Sequence, residues 1–189
     1  MNTKERILFM NIVEPIRDKK ALKRIEKALE KQCQRDLLIF LLGINCGLRI
    51  SDILNLNVEN VKDKTYIDII EKKTNKQKRF PINIKLRPLL QEFTQNRCEK
   101  EPLFLSVFNN RMERTQCYRI INNVCKKEGI EYKVGTHTLR KTFGYHHYQT
   151  FKDIVILQKI LNHSSPQITL RYIGIDQDII DNSYTKFIL

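Results

Sequence analysis

Residues 34–47, QRDLLIFLLGINCG, form the stretch of the sequence that decides how the chain folds. The segment from Leu37 to Leu42 is apolar on nearly every side once wound into a helix, which predicts a buried helix over Gln34–Asn45. It is too short to cross a bilayer, for which about 20 apolar residues are needed. Gly47 is the residue expected to end the helix. The core is therefore predicted to assemble around this segment.

Helices are also predicted on either side of this segment. Before it, Asp18 stands in the position of an N-cap, and Ala21, Ile25 and Leu29 follow at helical spacing. After it, Ser51 is a candidate cap for a short helix. The helices expected after Gly47 are Ile50–Leu56, Leu86–Asn96, Thr115–Glu128, 137–149, 152–161, 166–172 and 176–186.

A small sheet is predicted between the early and late helices. Thr65–Ile70 and Arg79–Ile82 are β-rich, and the polar stretch Glu71–Lys78 between them is typical of a hairpin tip. Pro81 places the second strand at an edge or at its end, and Leu103–Leu105 is a candidate third strand. The sequence thus predicts a mostly helical α+β domain over 18–189, preceded by an N-terminal arm over 1–17.

The charge of the chain favours a polyanionic partner. The net charge is +13 and the pI is about 9.6. Release of counterions from nucleic acid phosphates is the usual driving force for binding by such proteins. A solvated basic surface remains the alternative, and an anionic membrane is less favoured because no segment combines a basic face with a broad apolar one.

The five cysteines form no CxxC pair and have no metal-like spacing with histidine. Their odd number and scattered positions indicate free thiols in a reducing compartment. The charged N-terminus, MNTKERILF, does not resemble a signal peptide. A cytoplasmic protein without metal or cofactor is therefore expected.

Four short segments carry polar residues that core packing does not readily explain, and two of them lie in the first half of the chain. Arg49 directly follows the buried helix, with Asp52 three residues later, so the pair can face a cleft or form an ordinary surface ion pair. Between Lys72 and Arg79 the hairpin carries four lysines and one arginine. A solvated turn explains this cluster, and so does a finger that contacts phosphates.

The other two places lie in the second half. His137 and Arg140 share a helix face, and a helix that starts near Thr136 would present free N–H groups to an anion. His163 lies in the segment LNHSSP, and Tyr172 follows it by nine residues. Taken alone, the first pair is often structural and Tyr172 is a half-buried aromatic with a satisfied hydroxyl.

Together, the order and spacing of these four places resemble the tyrosine recombinase, or phage integrase, family from about residue 34 to 175. The family's G-L-R-x-x-D segment corresponds to residues 47–52, its H-x-x-R pair to residues 137–140, and its L-G-H-S-S element to residues 161–165. Its lysine lies in a β-hairpin before a V-P-I-like strand, here Phe80–Ile82. The catalytic residues implied by the resemblance are Arg49, Lys73, His137, Arg140, His163 and Tyr172, with Asp52 in support.

The resemblance also implies a role for each group. Arg49 and Arg140 would bind the phosphate oxygens, and Tyr172 would attack phosphorus to form a 3′-phosphotyrosine. His137 would accept the phenol proton, His163 would donate to a phosphate oxygen, and Lys73 would protonate the leaving 5′-hydroxyl. The residues expected to bind DNA are Lys72, Lys76, Lys78, Arg79 and Lys141.

The sequence departs from the family pattern at Asn162, usually glycine, and at Lys141, commonly histidine. Only about thirty residues precede the match, where family members normally carry a helical domain that completes a clamp around DNA. The expected partner is double-stranded DNA, with self-association from dimer to tetramer on it and help from an accessory recombinase or a DNA-bending protein. Residues 174–189 either pack on their own domain or dock onto a neighbouring subunit.

Two alternatives stay open at this point. One is a DNA-binding protein of the same ancestry that regulates or partners a full-length recombinase without cutting. The other is a DNA-relaxing enzyme that uses the same phosphotyrosine step, as type IB topoisomerases do. Tyr184, which lacks the spacing from His163, is a distant second candidate for the nucleophile.

Overall fold

The computed structural model describes residues 13–71, 77–175 and 183–187. Its helices are α1 (Lys19–Gln32), α2 (Gln34–Cys46), α3 (Ile50–Leu54), α4 (Leu86–Thr94), α5 (Arg114–Lys127), α6 (Thr136–Phe151), α7 (Ile154–Leu161) and α8 (Pro166–Ile173). A 3₁₀ turn over Val58–Asn60 and the strands β1 (Tyr66–Ile70) and β2 (Gln77–Pro81) lie between α3 and α4. The prediction of a mainly helical α+β domain is confirmed.

The first two helices form for the predicted reasons. The Asp18 carboxylate accepts hydrogen bonds from the N–H groups of Lys20 and Ala21, which caps α1. Residues 37–43 of α2 are all buried, so this helix is the centre of the core. It ends at Gly47, whose φ of 63° lies in the left-handed region that glycine adopts without strain.

Two local predictions are wrong. Helix α3 begins at Ile50 and has Arg49, not Ser51, in the N-cap position. The segment Leu103–Leu105 forms no strand, because its neighbouring residues pair with different parts of the chain. The N–H of Leu103 donates to the carbonyl of Leu56, whereas the carbonyl of Phe104 accepts from Met112. No ladder can extend from such isolated contacts.

The predicted hairpin is confirmed, and its strands run antiparallel from the pair Tyr66–Pro81 to the pair Ile70–Gln77. The polar stretch assigned to the tip is only partly a tip. Gln77 and Lys78 lie within β2, and Glu71, directly after β1, is completely buried. The remaining tip residues, 72–76, lie outside the described residues.

The buried apolar residues form two clusters. We call the first the main cluster; it extends from Ile16 through α1–α5 and the hairpin to Leu139 at the start of α6. The second, which we call the small cluster, consists of Leu157, Leu161, Ile173 and Ile175, with partly buried side chains of α6 packed against it. Helix α6 therefore touches both clusters and joins them.

The ends of the described chain differ in their packing. Ile16 is buried, its N–H donates to Thr142 Oγ1 at 2.9 Å, and its carbonyl lies 2.9 Å from His146 Nε2. At the other end, residues 183–186 are helical, and Tyr184 and Phe187 are exposed. The rest of the helix predicted over 176–186 falls outside the described residues. No helix in the described ranges has the length and apolar character that a bilayer span requires.

Candidate active site

Arg140 lies where the two clusters meet. Its side chain is buried, with Nη1 donating to the carbonyl of Gly47 at 2.5 Å and Nη2 to the carbonyl of Leu161 at 2.7 Å. Burial lowers the pKa of Arg140, and the nearby Tyr172 opposes that effect. A guanidinium stays charged in proteins nonetheless. Arg140 thereby fixes the segment before Arg49 against the turn that carries His163.

Arg49 points into the same region from the start of α3. Its Nη1 lies 2.7 Å from Glu71 Oε1 and 4.0 Å from Asp52 Oδ2, and both carboxylates are buried. Asp52 is thus beside Arg49, as the resemblance implied. The shorter contact, however, is made by Glu71.

Glu71 is a site residue that the sequence interpretation missed, because it was grouped with the lysines of the hairpin tip. Its Oε2 also lies 3.4 Å from Asn162 Nδ2. One signal could have found it. Alternation along β1 buries Ile67 and leaves Ile69 partly buried, so Glu71 falls on the same inward face.

His163 and Tyr172 contact each other through their rings, whose centroids are 4.9 Å apart at an interplanar angle of 73°. The Nδ1 of His163 lies 3.1 Å from Thr169 Oγ1, and that hydroxyl donates to the carbonyl of Ser165. The hydroxyl of Thr169 thus orients the imidazole through Nδ1. The Nε2 of the imidazole is therefore on the side directed away from Thr169.

Tyr172 is surrounded by cations. Burial raises the pKa of Tyr172, whereas the nearby guanidiniums of Arg140 and Arg49 act in the opposite direction. The Nζ of Lys141 lies 5.3 Å from the centroid of the ring. A phenol beside two guanidiniums can share a bound oxyanion with them, because all three groups can donate hydrogen bonds to it.

The other predicted site residues have different surroundings. His137 is exposed at the second position of α6, one helical turn before Arg140. Lys141 is buried, and Lys78 Nζ donates to the carbonyl of Ile160 at 2.5 Å, so both side chains make contacts within the protein. Arg79 is exposed and paired with a carboxylate of β1. Lys72, Lys73 and Lys76 lie outside the described residues.

The thiols and acids of the described segments offer no metal centre, since no three of their His, Cys, Asp or Glu side chains are grouped closely enough to hold an ion. All five cysteines are free thiols. Burial raises the pKa of Cys46, Cys117 and Cys125 to about 12, so these three are inert at neutral pH.

Comparison with known proteins gives matches over most of the chain. A model described as the phage integrase family matches residues 17–178. The probable integrase/recombinase YoeC of Bacillus subtilis (strain 168) is 46% identical over 179 residues, which cover 94% of this chain and 98% of that protein.

Two solved structures share the fold. The crystal structure of XerA recombinase matches 93% of this chain with a TM-score of 0.75 at 23% identity. A post-cleavage complex of XerH site-specific recombinase bound to palindromic difH substrate also matches 93%, with a TM-score of 0.71 at 18% identity. The chain spans 64% of the first and 54% of the second.

Proposed function

The chain belongs to the phage integrase family, and from that premise we propose that it cuts and rejoins double-stranded DNA at specific sites through a 3′-phosphotyrosine at Tyr172. One observation carries the proposal. Arg49, Arg140 and His163 converge on the Tyr172 side chain within a single chain. Ordinary core packing does not require two largely buried guanidiniums beside a phenol, because burying like charges together is costly.

In the proposed step the phenolic oxygen of Tyr172 attacks the scissile phosphorus, and the bond from phosphorus to the 5′ oxygen breaks. The phenol proton passes to His137, and the leaving 5′ oxygen takes a proton from Lys73. Rejoining uses a 5′-hydroxyl as the nucleophile and returns the proton to Tyr172. Because the covalent intermediate conserves the energy of the broken bond, neither ATP nor a metal takes part.

The arginines supply the transition-state stabilisation. Extra negative charge develops on the two non-bridging oxygens during attack, and preorganised donors to such oxygens contribute about 2.7–4 kcal/mol each. The carbonyls that hold Arg140 and the carboxylate that holds Arg49 fix both guanidiniums in advance. His163 would donate to the phosphate through Nε2, because Nδ1 is the ring nitrogen that contacts Thr169.

Grip on DNA is part of the proposal. The net charge of +13 favours phosphate contacts, and Arg79 is the exposed basic residue of the described hairpin segment placed for one. We further propose self-association from dimer to tetramer on DNA, with residues 174–189 docking between subunits and an accessory recombinase or DNA-bending protein completing the grip. Lys72, Lys73 and Lys76 would reach the DNA from the hairpin.

The test uses a pool of nicked duplexes with a randomised core, incubated with the protein and resolved on a denaturing gel. We expect a covalent protein–DNA band, whose DNA is then sequenced to identify the site. Tyr172→Phe should abolish the band, whereas the matched control Tyr184→Phe, at an exposed position, should retain it.

Two results would contradict the proposal. An adduct that survives Tyr172→Phe would assign the attack to another residue. Salt-sensitive DNA binding by the wild-type protein without any adduct would favour the non-cutting alternative, a DNA-binding partner of a full-length recombinase.

A further inference from the structure

The carboxylate of Glu71 is completely buried next to the candidate active site, immediately after β1. An acidic side chain is almost never fully buried unless it is paired. Three of the described partners of Glu71 lie on different parts of the chain. Its Oε1 lies 2.7 Å from Arg49 Nη1 and 3.9 Å from Lys78 Nζ, and its Oε2 lies 3.4 Å from Asn162 Nδ2.

The charges nearby explain why a carboxylate is stable at this place. Arg49 is close enough to Arg140 to disfavour the charge of Arg140, and the Arg49 side chain is only 15% exposed. Two guanidiniums that are both largely buried in one region are stabilised by a counter-charge before DNA arrives. Glu71 provides that charge from the side of the hairpin, and Asp52 provides it from α3.

The same carboxylate joins parts of the chain that are far apart in sequence. Arg49 is the N-cap of α3, Glu71 directly follows β1, and Asn162 is the C-cap of α7 immediately before His163. Lys78 reinforces the junction, because its ammonium donates to the carbonyls of Lys159 and Ile160 at the end of α7. The hairpin that carries Lys73 is thus attached, at the end next to its tip, to the turn that carries His163.

Resting on the proposed function, we propose that Glu71 is a positioning residue: its carboxylate holds the Arg49 guanidinium against the Asn162–His163 turn and sets it for the phosphate. Glu71 acts through Arg49 and does not touch DNA. A negative charge near a phosphate site opposes DNA binding, so this residue favours the reaction at some expense of affinity. Loss of Glu71 should therefore slow the reaction without weakening DNA binding, a result that distinguishes a positioning role from a purely structural one.

The experiment measures two quantities on the duplex recovered from the nicked pool. The single-turnover rate of adduct formation is measured in the otherwise wild-type protein, and the dissociation constant is measured in a Tyr172→Phe background. Glu71→Gln keeps the shape and one acceptor but removes the charge. We expect the rate to fall about tenfold while the dissociation constant stays equal or decreases.

Asp36→Asn is the matched control. Asp36 is a largely buried carboxylate 2.7 Å from the Arg35 guanidinium, in α2 and outside the candidate site. It loses the same charge from a similar pair. We expect its adduct rate per folded molecule to remain within about twofold of wild type.

A double-mutant cycle decides whether Glu71 acts through Arg49. An Arg49→Lys background already lacks the paired N–H donors of the guanidinium. In that background, Glu71→Gln should change the rate of adduct formation by less than about twofold. A full tenfold effect in that background would overturn the inference. So would a wild-type rate in the single variant, or losses of rate and affinity equal to those of Asp36→Asn.

The failure of the proposed function is distinguishable from the failure of this inference. If the wild-type protein forms no adduct on any duplex, the proposed function fails, and the inference is then judged by the same cycle measured in urea unfolding. Non-additive shifts of the unfolding midpoint would support the Glu71–Arg49 pairing, and additive shifts would overturn it.

Discussion

The main cluster and the small cluster differ in size and in what they hold in place. The main cluster packs most of the chain around α2, and its edge carries Arg49 and the hairpin base. The small cluster has four buried residues; Tyr172 packs against it, and His163 contacts the ring of Tyr172. Arg140, on the helix that touches both, donates hydrogen bonds to a carbonyl on each side.

This difference separates two requirements of the proposed chemistry. Donors that stabilise a transition state act best when they are rigid, and Arg49 is attached to the better-packed part. A nucleophile must reach the phosphorus and later release it, which requires the element that carries it to move. An element with few buried contacts opens locally at a lower free energy. The positions of Arg49 and Tyr172 fit these two requirements.

The largest effect is expected from cutting the connection between the clusters with Arg140→Lys. A lysine keeps the charge but cannot reach the carbonyls of Gly47 and Leu161 together, so one buried acceptor loses its partner. We expect unfolding to become easier by about 1–3 kcal/mol. Adduct formation should slow by at least about 100-fold, since a transition-state donor is lost. Urea unfolding and single-turnover gels measure the two quantities.

Arg97→Lys is the control for that prediction. Arg97 donates in the same way to two carbonyls, those of Pro102 and Leu103, but lies in the part of the chain packed on the main cluster. Its substitution should cost similar stability and leave the adduct rate per folded molecule unchanged. Equal losses of rate in the two variants would mean that Arg140 only supports the fold.

Alkaline pH should weaken the main cluster selectively. Its three buried thiols, Cys46, Cys117 and Cys125, have pKa values raised from 9.0 to about 12 by burial. The folded protein keeps these protons after the unfolded chain has lost them, so stability is complete below pH 9 and falls as the pH rises toward 12. Each thiol lowers the free energy of unfolding by about 1.4 kcal/mol per pH unit in that window. Urea titrations at a series of pH values measure the slope.

Cysteine variants identify the source of that slope. Replacing the three buried cysteines with alanine should flatten the pH dependence, while Cys98→Ser, at an exposed thiol, should leave it unchanged. The raised pKa of Tyr172 adds a smaller loss of the same sign above pH 10. A triple alanine variant with an undiminished slope would assign the alkaline loss to other groups.

A pair of glycine substitutions compares how the clusters respond to overpacking. A Cβ at Gly43 would lie 2.7 Å from Leu139 Cβ in the main cluster, and one at Gly144 would lie 2.7 Å from Ile173 Cγ2 in the small cluster. Each alanine should cost about 1–3 kcal/mol. We expect Gly43→Ala to cost more stability, because its surroundings cannot move apart. Gly144→Ala should cost more adduct rate, because relief there displaces the helix that carries Tyr172.

Thermal unfolding and single-turnover rates measured on both variants decide this prediction. A larger loss of rate for Gly43→Ala than for Gly144→Ala would mean that the small cluster is as rigid as the main one. The placement of Tyr172 would then not depend on an easily moved helix.

How far the sequence predicted this arrangement depends on how local each signal is. The cap at Asp18, the buried run of α2 and the hairpin depend on neighbours in sequence, and they were predicted correctly. The burial of Glu71 and the carbonyl partners of Arg140 depend on segments 21 to 93 residues away, so composition and periodicity do not reveal them. The lysines that follow Glu71 in the sequence favoured an exposed position for it.

The motif residues show the same division. Their order predicted that Arg49, Arg140, His163 and Tyr172 belong together, and the structure brings these four into one region. The sequence pattern did not predict that the neighbouring cations Arg140 and Lys141 are both buried. The assignments of His137 and Lys73 remain predictions.

The smallest effect is expected from Asn162→Gly, which restores the residue usual in the family. Asn162 has φ 53° and ψ 49°, a left-handed conformation that glycine adopts more readily, so the folded backbone should relax slightly. The greater freedom of glycine in the unfolded chain offsets that gain, and the net change in stability should stay within about 0.5 kcal/mol.

The control for this variant is Asn109→Gly, because Asn109 has a similar φ of 57° in the loop between Leu105 and Arg111. If the amide of Asn162 helps to hold Glu71, its loss should slow adduct formation by about two- to threefold relative to that control. Equal rates in the two glycine variants would mean that Glu71 is held by its cationic partners and not by the amide of Asn162. Of the contacts described for this junction, only those of Lys78 would then attach the hairpin to the small cluster.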